Sequence, residues 1–149
     1  MAQINCREVV LLNSTLTTST NSGDMVMPQG YTSAIVTVNV NTVSGTSPTL
    51  DVYIQNKLPQ AASTDVAGGA PTGTAIYDDL MHAAQITTSS TIQVVRIVGG
   101  GNVMHAQQDA ALAAGSIASG PIGGTWRVKT VLAGTSPSFA TSVVVEFIP

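Results

Sequence analysis

The chain has 149 residues, enough for one domain that buries roughly two thirds of its unfolded surface without help from disulfides or metals. Hydrophobic residues make up 44% and charged residues only 9%, far below the roughly 25% usual for soluble domains. Five cations (Arg7, Lys57, Arg96, Arg127 and Lys129) stand against eight acidic residues. Only Arg127 and Lys129 lie close together, which speaks against binding nucleic acid through its phosphates.

Ser, Thr, Asn, Gln, Gly and Ala take the place of the missing charge. Such a surface repels copies of itself weakly and suits a chain in permanent contact with neighbours. The N-terminus, MAQINCREVV, lacks the basic segment, apolar run and cleavage site of a secretory signal, and no apolar run reaches the length of a membrane span. The expectation is synthesis in a cytosol, with no membrane partner. Cys6 is the only cysteine, so no internal disulfide forms, and a small buried apolar role is expected for it.

In chain order, residues 7–13 read as a first strand, with Val9, Val10, Leu11 and Leu12 as its apolar run. The Ser/Thr tract over residues 13–24 is too polar for a core element and reads as a surface loop ahead of an edge strand or an intersubunit arm. Residues 1–24 as a whole are candidates for such an arm in part. Pro28, Gln29 and Gly30 form a turn leading into the most informative stretch.

Over residues 34–55, Val36, Val38 and Val40 alternate with polar residues, and after SGTSP so do Leu50, Val52 and Ile54. Gly, hydroxyl and Pro residues in that connection predict a chain reversal and hence a hairpin. The motif returns as AGTSP over residues 133–137, within a second expected hairpin spanning residues 126–147. Upstream of the motif the apolar parity of the two copies differs by one residue, which points to a bulge. Trp126 opens an alternating strand and is expected in the core.

Residues 57–74 form a long Ala-, Gly- and Pro-rich excursion, a first candidate for partner contact. Residues 75–87 and 91–98 read as a third hairpin in preference to a helix over residues 79–85. Residues 105–115 are the only helix candidate, ending at Gly115. The expected fold is therefore all-β: an antiparallel β-sandwich or jelly roll of seven to eight strands, with long glycine-rich loops and at most one short helix.

Motifs that carry chemistry are sparse. Gly99, Gly100 and Gly101 invite a dinucleotide reading, but the third glycine of that spacing would fall at Met104. His82, His105 and Cys6 are scattered, which argues against a zinc site. His105 and Asp109 are spaced by one helical turn, yet no GxSxG frames a serine, so a hydrolase is not expected. Asp78 and Asp79 read as a hairpin-edge charge and a turn residue, on opposite faces if the segment is a strand. Arg96 lies inside an apolar strand and reads either as a partner for a carboxylate across a subunit boundary or as a wet-face cation. The sequence assigns no catalytic, cofactor-binding or metal-binding residue and no small-molecule substrate.

The segments VSGTSPTLDVYIQ, AQITTSSTIQVVRIV and WRVKTVLAGTSPSFATSVVVEF resemble the small β-sandwich structural proteins of tailed-bacteriophage virions, most of all the capsid decoration or cement proteins. The resemblance covers about half the chain, mainly residues 34–55 and 85–147. It implies a non-enzymatic virion protein on the capsid surface, contacting the major capsid protein and copies of itself, commonly as a homotrimer. Two other readings stand beside it: a receptor- or carbohydrate-binding β-sandwich of a tail or cell surface, and another virion structural protein of the head-completion or tail type.

Overall fold

A computed structural model of the chain describes residues 5–58, 75–99, 109–118 and 120–149. Among them there is no helix, and eight strands run in the order β1 (Arg7–Leu16), β2 (Thr20–Asn21), β3 (Met25–Val26), β4 (Ser33–Lys57), β5 (Tyr77–His82), β6 (Thr91–Val98), β7 (Ser116–Ile117) and β8 (Thr125–Ile148). Every pairing is antiparallel, within one hydrogen-bonded sheet. The all-β expectation holds, but its internal wiring differs from the sequence reading.

The chain does not reverse at either GTSP motif. Residues 33–57 form one strand of 25 residues, paired with β8 from Ser33 opposite Ile148 to Asn56 opposite Trp126. The turn chemistry shapes a crossing between two long strands instead of closing hairpins. At that crossing Gly45 and Gly134 adopt φ of 112° and 106°, and Ser47 and Ser136 both adopt 49°. A Cβ on Gly45 would sit 2.7 Å from the Ser136 carbonyl oxygen, and one on Gly134 would sit 2.7 Å from that of Ser47. The two copies thus lie across each other about an approximate twofold axis, which uses glycine both for positive φ and for close approach.

The parity mismatch between the copies has its cause at Asn41. Val40 pairs with Thr141 and Thr42 with Ala140, so Asn41 is an extra residue in β4. The matching part of β8 runs in step, Leu50, Asp51 and Val52 facing Leu132, Val131 and Thr130. One bulge on one strand moves the alternation of that copy alone.

The long ribbon doubles over. Trp126 and Phe147 lie near opposite ends of β8, which a straight strand would hold roughly 70 Å apart, yet their ring centroids are 5.6 Å apart. One end of the ribbon is flanked by β6 and β1, the other by β5 with β7 on one side and by β2 and β3 on the other. Inward-facing Val36, Val38, Val40, Leu50, Val52, Ile54, Val128, Phe139, Val143 and Val145 join Trp126 and Phe147 in a single buried cluster. Trp126 is in the core as expected, its indole N–H donating to the Gly123 carbonyl at 2.9 Å.

Other expectations need correction. β5 and β6 do not pair with each other: β5 borders the second half of β4 and β6 the first, where all eight residues of β6 find partners. The Gln93 side chain links the two segments, its amide exchanging hydrogen bonds of 2.8 and 2.9 Å with the Ala84 backbone. Residues 109–115 are irregular, with Ala110 at a φ of 57°; the first part of the expected helix, with His105, lies outside the described residues. So do residues 59–74, nearly all of the expected long loop. The polar tract after residue 13 continues β1 to Leu16 and then supplies the short edge strand β2. Cys6 is exposed, because it precedes the first ladder pair, Arg7 with Phe147.

Candidate subunit-contact surface

Alternation decides which side chains leave the core. On β6, Ile97 points inward and is buried, so Ile92, Val94, Arg96 and Val98 point outward. Ile92 and Val94 are each 64% exposed and Val98 57%. At the far edge of the same face, on β1, Val10 is 48% exposed, and Ile35 and Val144 lie half-buried between the two edges. The result is an apolar outward face on a chain with little surface charge. Polar Thr37, Asn39 and Ser142 share that face, and exposed apolar side chains gathered on one sheet face point to a contact site more than singly scattered ones do.

Arg96 belongs to this face. Its Nη2 donates to Ser33 Oγ at 3.4 Å, and it makes no ion pair with any described residue. Opposite Ile35 on its other side is Glu146, and beyond that Glu8. The sequence singled out Arg96; it gave no sign that two carboxylates would share its row.

The other end of the ribbon carries a polar layer. β5 is buried on both faces, so Asp78 and Asp79 are not edge or turn residues but interior ones. The Asp79 carboxylate accepts hydrogen bonds from the amides of Ala110, Ala111 and Leu112 at 3.0–3.1 Å and from Gln55 Nε2 at 2.7 Å. It therefore anchors the 110–112 segment against β4. Asp109 accepts from Lys129 Nζ and Gln55 Nε2, both at 2.9 Å, and Arg127 stands 3.8 Å away. The Lys129 and Gln55 bonds hold the Asp109 carboxyl below its ordinary range. Arg127 also donates from Nε to Gln55 Oε1 and stacks on the Tyr77 ring at 3.2 Å. The only close cation pair in the sequence is thus committed to an internal network.

His82 sits beneath this layer, stacked on Tyr53 with 3.9 Å between centroids. Its Nδ1 faces the Leu112 carbonyl at 2.7 Å and its Nε2 faces Asp51 Oδ1 at 3.1 Å. Both ring nitrogens are thereby engaged in holding neighbouring segments. A groove of about 520 Å³ lies beside it, bordered by Ala84, Gln93, Val94, Ser116 and Ile117. Among the described residues, no three His, Cys, Asp or Glu side chains are grouped to hold a metal ion.

The buried carboxylate was not legible as such, because Asp78 and Asp79 adjoin a plausible turn. The signal that could have found it is the apolar frame of IYDDLM, which suits a strand covered on both faces. No protein-family model matches the chain, and neither does any curated protein or solved structure.

Proposed function

We propose that this chain is a non-enzymatic structural protein of a virus particle, decorating or cementing a phage capsid through subunit contacts. The observation that carries the reading is the outward apolar face formed by Val10, Ile92, Val94 and Val98. It is supported by the low charge content and by the resemblance of the GTSP-bearing strands to virion β-sandwich proteins.

The physics of such a role is adhesion over area. A stable contact needs about 800 Å² from each partner, and a weaker one suffices where many copies act together on a repeating shell. The face needs no tuned acid or base, only shape and matched charge. The carbohydrate-binding reading loses its anchor, because Trp126 is buried and offers no ring face to a sugar.

The test is co-sedimentation of the purified protein with capsids that lack it. Saturable binding at a stoichiometry set by the shell lattice is the expected result. Binding only at a portal or tail assigns it to the head-completion or tail class instead, and failure to join any particle overturns the virion reading.

A further inference from the structure

The charges on the outward face are arranged so that the face complements itself. Across the sheet order β6, β4, β8, β1, one row reads Arg96, Ile35, Glu146, Glu8, and the next reads Val94, Thr37, Val144, Val10. The cation stands on one edge strand, and the two anions occupy the opposite half, Glu8 on the other edge strand and Glu146 on the strand next to it. Glu8 and Glu146 are direct cross-strand partners, an arrangement that destabilises a sheet unless a cation answers it. Among the described residues neither has an ion pair.

From this we infer that the face binds a second copy of this chain, about a twofold axis that runs along the strands between β4 and β8. The inference rests on reading the outward face as a subunit contact and names its partner. Such an axis lays β6 of one copy on β1 of the other, and β4 on β8. Arg96 then meets the partner's Glu8 with Glu146 alongside, and Val94 meets the partner's Val10. By symmetry each contact occurs twice. A twofold axis across the strands would set β6 on β6 and leave the two carboxylates facing their own copies, so the charge pattern selects between the two.

The size of the face sets the strength. Four strands about 4.8 Å apart and some eight residues long present on the order of 500 Å², short of the roughly 800 Å² per partner of standard complexes. Pairing is therefore concentration-dependent in solution and gains from repetition on a surface. Because the charges lie at the rim of the contact, added salt weakens it.

Sedimentation equilibrium of the full chain over a concentration series tests this. The wild type shifts from monomer to dimer. Arg96→Glu makes the row wholly acidic and weakens pairing roughly tenfold or more. The double variant Glu8→Lys/Glu146→Lys makes it wholly basic and does the same. Mixing the acidic and basic variants restores pairing as a heterodimer, which no loss of folding and no nonspecific stickiness reproduces. A wild type that stays monomeric throughout, one that forms trimers, or a mixture that fails to pair overturns the proposal. A monomer that still joins capsids leaves the virion reading standing, and a dimer that joins no particle removes that reading while keeping this one.

Discussion

Thr46 and Thr135 face each other at the middle of the β4–β8 ribbon, and they are the same residue of two copies of one motif. The repeat in the sequence is therefore a contact in space. A motif paired with itself across an antiparallel ribbon meets the same backbone geometry twice, which is why the φ angles of the two copies agree within a few degrees.

That symmetry predicts equal penalties. Gly45→Ala and Gly134→Ala each force a Cβ against a backbone carbonyl at positive φ, and each should cost about 2–4 kcal/mol. Urea unfolding of the two variants measures this. A neutral effect at either site contradicts the crossing.

The doubling of the ribbon predicts coupling between distant positions. Phe147→Ala should cost about 3–5 kcal/mol. In a double-mutant cycle with Trp126→Leu, the two changes should fail to add by about 0.5–1.5 kcal/mol, as expected of rings in contact. Strict additivity would mean the ends of β8 do not meet.

Asp79 should behave as a structural anchor. Asp79→Ala leaves the amides of Ala110, Ala111 and Leu112 without their acceptor, at a cost of about 3–5 kcal/mol. Hydrogen exchange should show these three amides losing protection first, ahead of the core strands. Unchanged protection there would assign the segment a different support.

Acid should weaken the same region. Asp109, held down by Lys129 and Gln55, and Asp24, held down by Lys57 and Tyr77, both ionise more readily folded than at their ordinary value of 3.8. Their contribution is complete above that value and is lost as pH falls through the lower folded value. Both carboxylates are partly exposed, so the effect is modest and salt-sensitive. Comparing the acid limb of Asp109→Asn with that of the wild type reads it: the variant should lose less stability on acidification, and parallel curves would contradict the assignment.

Alternation and β-branched runs made the strands legible, because the period of two is a local property of Val36 to Val40 or of Ile92 to Ile97. Connectivity was not, since Gly45, Ser47 and Pro48 carry the same chemistry whether the chain reverses or merely kinks. What separates the two outcomes is a partner strand far along the chain, and local propensity holds no record of it. The bulge at Asn41 was visible only through comparison of the two copies. On the candidate surface, Arg96 stood out as a cation in an apolar strand, but Glu8 and Glu146 joined its row only through the pairing of three strands. Cys6 was misplaced because its residue type was weighed and its position before the first ladder pair was not.

The most direct measurement of the proposed role is quantitative mass spectrometry of gradient-purified virus particles from cells that produce this chain. The account predicts that it co-purifies at a copy number in fixed ratio to the major shell protein. Particles that carry none of it, with all of the chain left in the soluble fraction, would contradict the account.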